Sequence, residues 1–327
     1  MADLYKDNLL NLVDSYKNKN VLVIGDSILD HYIYSTAVGL ALEGPTLLAS
    51  EDRSEMVMGG AGNVVANLLG LEARCTFMTL LGNDSEASFY ENYPDKRLTL
   101  VPLKEDRKTT VKRRFYVKRA GVEYKHLEIH KEDGFDLSKE SESRLLGFLK
   151  TNIDSYDAVI LADYRNGLLP TRTIKSIVDL LKENQKLTVA SSQVFKKPSN
   201  HLDYSGVDLI VMNQKEAKAF DLNFSGYNRD LKHLSERLNS GVCITLGKTG
   251  AVLHSDNMTY SSSGIEVKEI DSCGAGDSFL AALVLSDPKK NPGDALFLAN
   301  LWAGLSVQEI GTTVPKIKDL VDHIDKL

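Results

Sequence analysis

The sequence has few cysteines and no long apolar run, and both absences limit its function. Its three cysteines, Cys75, Cys243 and Cys273, are far apart and form no C-x-x-C pair. We therefore expect neither a disulfide framework nor a zinc site. No apolar run approaches the roughly 20 residues that span a bilayer, and residues 1–20 lack the apolar core of a signal peptide. These absences predict a cytoplasmic protein that does not bind membranes.

The sequence also lacks an excess of basic charge. It has 39 Lys and Arg against 45 Asp and Glu, which gives a formal net charge of −6. Proteins that bind nucleic acid usually carry a basic excess that neutralises phosphates, so we expect no nucleic-acid partner. With 43% hydrophobic and 26% charged residues over 327 positions, the composition is that of an ordinary globular protein.

Apolar runs of strand length alternate with amphipathic helical segments along most of the chain. The runs are VLVI (21–24), CTFMTLL (75–81), DAVILA (157–162), LTVA (187–190), DLIVM (208–212) and VCITL (242–246). The helical segments lie near 61–71, 139–151, 171–184, 214–221, 229–239, 275–286 and 293–310. This order predicts an α/β fold with a mainly parallel, doubly wound sheet. Residues 31–50 and 108–130 have no helical period and predict a small sheet that projects from the core.

The segment DSCGAGDSF (271–279) opens an apolar helix and is the most informative motif. Small residues at Gly274, Ala275 and Gly276 let successive backbone N–H groups line one concavity, where the helix dipole favours an anion. Asp277 follows in the first helical turn. Its carboxylate can accept a proton from a substrate hydroxyl while the N–H groups stabilise a transferring phosphoryl group. The alternative is a tight turn followed by an acid that only favours the helix start.

Two segments resemble better-known phosphate motifs without matching them. GVCITLGKT (241–249) has one residue too many between its glycines for a P-loop, and the interval is an apolar strand. GGAGNVVANLLG (59–70) has Val65 where a dinucleotide fingerprint needs glycine. We therefore expect neither a Walker A loop nor a Rossmann site.

The second of these segments is suited to binding a polyol. Gly59 and Gly60 allow a ligand to approach the backbone closely, and Asn63 and Asn67 lie on one face of the following helix. Their amides carry donors and acceptors, as recognition of sugar hydroxyls requires. The alternative is that Asn63 caps the helix and Asn67 faces the core.

Three aspartates lie at or near the carboxyl ends of predicted strands. Asp26 follows VLVI after one glycine, Asp30 comes four residues later, and Asp163 directly follows DAVILA. Ligands of open α/β sheets bind at these ends, so the carboxylates could accept sugar hydroxyls or hold a metal. For Asp163 alone, helix capping explains the residue equally well.

A basic segment interrupts the acidic chain between Arg107 and Arg119, with seven Lys and Arg and no acid. Read as a strand, it places Lys112 and Arg114 on one face with Tyr116. This face could bind a phosphate group of the substrate. The alternative is that the charges protect an edge strand from aggregation.

Together, GGAGNVVANLLGL (59–71) and DSCGAGDSF resemble the two signatures of the ribokinase-like (PfkB-type) carbohydrate kinases, and the resemblance extends from about 21 to 314. It implies a three-layer α/β sandwich in a single domain, 1–327, with a small β-sheet lid formed by about 31–53 and 107–130. It also implies ATP-dependent phosphorylation of a sugar hydroxyl, with Asp277 as the base and Gly274 to Gly276 as the anion hole. The implied cofactors are ATP and Mg²⁺, and a monovalent cation is allowed.

The resemblance implies further residues around the substrates. Asn213 and Glu216 in NQKE match an Asn-x-x-Glu element that helps to hold magnesium and phosphate, with Glu216 as the metal ligand. The implied nucleotide-binding residues are Gly247, Gly250, Asp271 and Asn300. The implied sugar-binding residues are Asp26, Asp30, Gly60 and Asn63, and we add Gly59 from the glycine turn and Asp163 from its position after a strand.

Within the family, five segments resemble the bacterial heptose-7-phosphate kinases in the same order. They are VLVIGDSILDHYIY, TVKRRFYVKR, ILADYRNGLL, MNQKEA and IGTTVP. This likeness implies phosphorylation of the anomeric hydroxyl of D-glycero-D-manno-heptose 7-phosphate, a precursor of lipopolysaccharide and surface glycans. Those kinases are joined to a synthase half that this chain lacks, so we expect a separate nucleotidyltransferase partner. We also expect a homodimer that forms through the lid.

The chain departs from the heptose kinases at two positions. Ser191-Ser192-Gln193 replaces their Asp-Pro-Lys element, for which only Lys196 or Lys197 could substitute, and 37–42 lack an expected basic residue. The substrate therefore stays open between heptose 7-phosphate and a different sugar, sugar phosphate or nucleoside. A catalytically weakened sugar-binding or regulatory protein is the remaining alternative.

Overall fold

The computed structural model describes residues 2–194, 197–225 and 228–327. The strands are β1 (Asn20–Gly25), β2 (Ser27–Leu40), β3 (Leu47–Gly60), β4 (Arg74–Leu81), β5 (Leu98–Lys104), β6 (Val111–Arg119), β7 (Val122–Lys131), β8 (Ala158–Asp163), β9 (Leu187–Ser192), β10 (Leu209–Asn213), β11 (Gly241–Thr245), β12 (Ala251–Ser255) and β13 (Met258–Ser262). The α-helices are α1 (Ala2–Ser15), α2 (Ala61–Gly70), α3 (Ala87–Glu91), α4 (Lys139–Asn152), α5 (Thr171–Glu183), α6 (Gln214–Phe220), α7 (Asn228–Leu238), α8 (Ala275–Leu285), α9 (Pro292–Ser306) and α10 (Ile317–Ile324).

Nine of these strands form the main sheet, in the order β13-β12-β11-β10-β9-β8-β1-β4-β5. The seven from β11 to β5 are parallel, and β12 and β13 add an antiparallel edge. Strand β1 lies inside the sheet, and its side chains alternate between two cores. Val21 and Val23 pack in one, and Leu22 and Ile24 in the other. Helices cover both faces of the sheet, which confirms the three-layer sandwich. All six strand segments predicted from apolar runs are strands of this sheet.

Several elements escaped the sequence analysis. Helices α1, α3 and α10 and strands β5, β12 and β13 were not predicted. Strand β5 contains Pro102, which an edge strand tolerates because one side of its backbone has no partner. The β12–β13 hairpin turns at Asp256 and Asn257, both with positive φ, as a type I′ turn requires. Within the described residues, no helix is both long and apolar enough to cross a membrane.

The lid is a separate sheet of four strands in the order β3-β2-β6-β7. Its predicted segments were correct in kind but too short, since β2 begins at Ser27 and β3 continues to Gly60. Strand β2 pairs parallel with β6 and antiparallel with β3. Its inner face carries stacked or tilted rings of Tyr32, Tyr34 and Tyr116, with ring centroids 5.3–6.5 Å apart.

Candidate active site

The segment 271–279 folds as a turn followed by the start of α8. Gly274 precedes the helix with a φ of 83°, a left-handed conformation that glycine adopts without strain. A Cβ at this position would lie 2.5 Å from Asn63 Nδ2, so no side chain fits. Ala275 and Gly276 form the first turn and line an open cavity. The positive end of the helix dipole therefore faces a space that can hold an anion.

The Asp277 carboxylate accepts hydrogen bonds on both of its oxygens. Tyr164 donates its hydroxyl to Oδ1, and Asn63 donates its amide to Oδ2 at 2.8 Å. Tyr164 directly follows β8, whereas Asn63 lies in the first turn of α2. Both donors are neutral, so they orient the carboxylate without cancelling its charge.

A chain of hydrogen bonds connects Asn63 to the core. Asn67 donates to the Asn63 backbone oxygen at 2.8 Å and to Asn63 Oδ1 at 3.2 Å. The Trp302 indole donates to Asn67 Oδ1 at 2.8 Å, and the side chains of Asn67 and Trp302 are fully buried. Asn67 thus faces the core, the alternative considered for it above. The orientation of Asp277 depends on packing between α2 and α9.

Two acidic groups at the site have pKa values near neutrality. Burial raises the pKa of Asp277 to about 6, although the bonds from Tyr164 and Asn63 oppose the rise. Burial raises the pKa of Glu216 to about 7, and the negative charge of Asp277 adds to that effect. A carboxylate with a pKa near 6 is ionised at neutral pH and still basic enough to take a proton from a reacting group.

The open cavity beside α8 has a volume of about 650 Å³. It is lined by Gly247, Gly250 and Asn300 together with Ala275 and Gly276. Gly247 and Gly250 have φ values of 61° and 104°, and a Cβ on Gly250 would lie 2.1 Å from the Ser262 backbone oxygen. The structure therefore brings three of the predicted nucleotide-binding residues to the anion hole.

A smaller cavity of about 100 Å³ joins Asn213 and Glu216 to Gly276 and Asp277. Asn213 and Glu216 form a capping box at the start of α6, in which Glu216 Oε2 accepts the Asn213 N–H at 2.8 Å. Among the residues that the structure describes, no cluster of three or more His, Cys, Asp and Glu could hold a metal ion. A metal at Glu216 would need ligands from elsewhere, such as phosphate oxygens.

The lid contributes a buried acid, Asp30, beside the glycines that precede α2. Asp30 Oδ2 lies over Gly59, where a Cβ would be 2.3 Å from it, so the glycine makes room for the carboxylate. Gly60 has a φ of 58° and leads directly into α2 and Asn63. Burial is the main cause of the raised pKa of Asp277, and the negative charge of Asp30 adds to it.

The two predicted phosphate-binding cations differ in their surroundings. Arg114 is buried, with Nη1 2.6 Å from Asp30 Oδ1 and Nε 3.5 Å from Glu128 Oε2. Its charge is therefore balanced by two acids, which leaves little attraction for a phosphate. Lys112 is half-buried, and its positive charge partly opposes the rise that burial causes in the pKa of Asp30 and of Asp277. Of the pair, Lys112 is the better placed to meet a substrate anion.

Comparison with known proteins agrees with this geometry. The profile of the pfkB family carbohydrate kinases matches residues 18–319. The chain belongs to this family. As a kinase of the pfkB family, it transfers a phosphoryl group from ATP to a carbohydrate.

Curated relatives include the bifunctional protein HldE of Aliarcobacter butzleri, which is 27% identical over 320 residues, 95% of this chain and 65% of the relative. The bifunctional protein HldE of Nitratiruptor sp. is 28% identical over 312 residues, 93% of this chain and 64% of the relative. The kinase thus spans slightly less than two thirds of the length of these relatives.

Solved structures show the same ribokinase-like fold. Phosphofructokinase-2 from Escherichia coli in complex with potassium has a TM-score of 0.73 at 15% identity, covering 94% of this chain and 99% of that one. Ribokinase from Thermotoga maritima has a TM-score of 0.68 at 21% identity, covering 94% of this chain and 100% of that one. The predicted fold class is confirmed.

Three predicted ligand residues of the kinase instead bind its own backbone or side chains. Asp26 accepts the N–H groups of residues 164, 166 and 168 at 3.0–3.2 Å. Asp163 accepts bonds from Ser192, Asn200 and Tyr204, and Asp271 accepts the N–H groups of residues 273 and 311. These contacts give the three carboxylates structural roles, and their binding of ligands stays a prediction.

The departure at Ser191-Ser192-Gln193 lies at the end of β9, next to the small cavity. Ser191 and Gln193 line that cavity, whereas Ser192 is buried and donates to Asp163 Oδ2 at 3.0 Å. Lys196, considered above as a substitute cation, is outside the described residues. Lys197 donates to the backbone oxygen of Arg165 at 2.7 Å.

Sequence reasoning missed Tyr164, the residue in closest contact with the Asp277 carboxylate. The only available signal was its place directly after a strand, in the segment ILADYRNGLL. The Asp30–Arg114 ion pair was also missed, because its members are 84 positions apart and meet only when β2 pairs with β6.

The Trp302–Asn67 bond can be tested through stability. We expect Trp302→Phe to lower the free energy of unfolding by about 1–3 kcal/mol, because buried Asn67 Oδ1 loses its donor. Urea unfolding measures the loss. The double variant with Asn67→Leu should cost less than the sum of the two single changes, since no orphaned polar atom remains. Strictly additive losses would contradict the coupling.

Proposed function

We propose that the kinase phosphorylates the anomeric hydroxyl of a heptose 7-phosphate. The observation that carries the proposal is the position of Asp277, which on one side directly follows the anion hole at Gly274 to Gly276 and on the other bonds Asn63, just after the glycine turn that packs against the buried Asp30. The first side is suited to the triphosphate of ATP and the second to the hydroxyls of a sugar. The proposal also places the enzyme in the cytoplasm, where ATP is available.

In the proposed reaction, Asp277 removes the proton of the attacking hydroxyl. The sugar oxygen then forms a bond to the γ-phosphorus, and the bond from that phosphorus to the β–γ bridging oxygen breaks to release ADP. The N–H groups at the start of α8 stabilise the charge on the transferring group, because they point at it before the reaction begins. Lys112 can add a positive charge from the lid side.

Glu216 is the residue that would hold a magnesium ion. Its carboxylate is buried and its pKa is raised to about 7, so a nearby positive charge would stabilise the ionised form. Mg²⁺ commonly binds one or two carboxylates together with substrate phosphates, which fits a single acid beside the anion hole. When bound, the ion would neutralise charge on the phosphates of the nucleotide.

Three observations favour a substrate that carries a phosphate of its own. The segments that resemble the heptose-7-phosphate kinases include the basic strand β6, and curated HldE relatives match over more than nine tenths of the chain. Lys112 and Lys118 lie on the face of β6 that carries the stacked tyrosines. A cationic face next to the sugar hydroxyls can recognise a distal phosphate.

An ADP-release assay on a panel of sugars, sugar phosphates and nucleosides tests the substrate. We expect turnover to be highest with heptose 7-phosphate and to require Mg²⁺. The dephosphorylated heptose serves as the matched control, and its KM should be higher because it lacks the group that the lid cations attract. Highest turnover with a different compound would reassign the substrate. Binding without any turnover would favour a regulatory protein.

The role of Asp277 is tested by Asp277→Asn, which we expect to lower kcat by about 10²–10⁴, the usual effect of a positioned base. The wild-type kcat should fall as the pH drops through about 6, because the protonated carboxyl cannot accept a proton. Asp294→Asn, which changes the first-turn acid of α9, is the control and should leave kcat unchanged. Near-native turnover of Asp277→Asn would rule out the mechanism.

We also propose that the kinase dimerises through the lid. The outer face of the lid, opposite the stacked tyrosines, carries Ile33, Phe115, Leu127 and Ile129 in register across β2, β6 and β7. Leu127 and Ile129 are 48% and 44% exposed, and apolar area of this kind is often buried between subunits. The two edge strands of the lid offer further pairing groups.

Sedimentation velocity tests the dimer. We expect the wild type to sediment as a dimer and the Leu127→Glu/Ile129→Glu double variant as a monomer, because two charges cannot be buried at the interface without partners. Leu222→Glu, at a residue that is 91% exposed outside the lid, is the control. A double variant that remains dimeric would place the interface elsewhere.

A further inference from the structure

The loop that follows β8 carries Tyr164, and hydrogen bonds to a single carboxylate fix its conformation. The Asp26 carboxylate accepts three of its N–H groups, those of Tyr164 at 3.0 Å, Asn166 at 3.2 Å and Leu168 at 3.0 Å. Residues 165 and 167 both have positive φ, so the loop turns sharply around this carboxylate. Asp26 is 2% exposed. A buried charge is thus used to hold a short loop in one shape.

This loop places a single side chain at the catalytic carboxylate. The Tyr164 hydroxyl donates to Asp277 Oδ1, while Asn63 holds Oδ2 at 2.8 Å. Each donor uses one lone pair of its oxygen, so each oxygen can still accept a second hydrogen bond, such as that of a substrate hydroxyl. Two donors on two oxygens fix both the position and the plane of the carboxylate.

We propose that Tyr164 is a positioning residue, which keeps Asp277 oriented and ionised for proton abstraction, and that Asp26 acts through it by holding the loop. The inference rests on the proposed role of Asp277 as the base. It goes beyond that role by assigning a function to Tyr164 and to the strand-end aspartate Asp26, neither of which touches the reacting atoms.

The electrostatic surroundings of Asp277 agree with this assignment. The charged or titratable groups that act on it or lie nearby come from three other elements and one turn: Asp30 of β2, Lys112 of β6, Glu216 of α6 and Cys273 in the turn before α8. Lys112 is the only cation in this set. Burial and the charge of Asp277 raise the pKa of Tyr164 well above its usual value, so the hydroxyl stays protonated and remains a donor.

The test compares wild type with Tyr164→Phe, which removes only the hydroxyl. The Asp277 carboxyl is titrated by ¹³C NMR of labelled aspartate, with its signal assigned by Asp277→Asn. We expect the midpoint to rise by about one pH unit, the effect of losing one hydrogen bond to a charged carboxylate. The pH midpoint of the acidic limb of the kcat profile should rise by the same amount. The maximal kcat should fall about tenfold because the carboxylate is less well oriented, and the KM for ATP should not change.

Two further variants make the result specific. Tyr16→Phe removes a buried tyrosine hydroxyl that bonds Ser286 Oγ at 2.5 Å, remote from the site, and should leave the Asp277 midpoint unchanged. Asp26→Asn should raise the midpoint, and adding Tyr164→Phe should raise it no further. If Asp26→Asn does not fold, Tyr164→Phe alone decides the main claim.

An unchanged midpoint in Tyr164→Phe would overturn the proposal. A lower KM with unchanged kcat would also overturn it, since the hydroxyl would then occupy the place of the substrate. The NMR titration does not depend on the sugar, so it decides the role of Tyr164 even if no sugar phosphate is turned over. In that case the proposal for the substrate would be wrong, and the titration would still show whether Tyr164 positions Asp277.

Discussion

The site depends on keeping one carboxylate charged in a place where burial opposes charge. Water would stabilise the ionised form of Asp277, but it would also compete for the transferring phosphoryl group. The protein replaces that water with two neutral donors, Tyr164 and Asn63. Both donors oppose the rise that burial causes in the pKa of Asp277, and since neither carries a charge, they do not cancel the charge of the carboxylate. Much of the surrounding structure serves to hold these two donors in place.

The donors are anchored in different layers of the sandwich. Asn63 is held through Asn67 by Trp302, within the core that α2 shares with α8 and α9. Tyr164 is held through its backbone by Asp26, which lies between β1 and the lid. The Asp277 carboxylate is therefore connected to the packed helices through one donor and to the strand ends of the sheet through the other. A substitution in either layer would therefore alter a hydrogen bond to the Asp277 carboxylate.

The sequence predicted those features that depend on local pattern. The main strands and helices follow from the period of their apolar residues, and Asp277 from its place after three small residues at a helix start. Features that depend on contacts between distant segments were not predictable in this way. From the sequence alone Arg114 is predicted to be a free cation, but in the fold β6 lies beside β2 and brings it to Asp30. Asp26 is predicted to bind a ligand, but in the fold its carboxylate accepts N–H groups of the loop after β8.

Two of the four connections between the lid and the core lie side by side. Asp26 alone separates β1 from β2, and β3 ends at Gly60, directly before α2. The Ala61 N–H donates to the Asp26 backbone oxygen at 3.0 Å, and a Cβ on Gly60 would lie 2.7 Å from that same atom. Asp26 therefore bonds to two segments, because its backbone oxygen accepts from the start of α2 and its carboxylate accepts three N–H groups of the Tyr164 loop. One residue thus links the start of the lid to the contact between Tyr164 and Asp277.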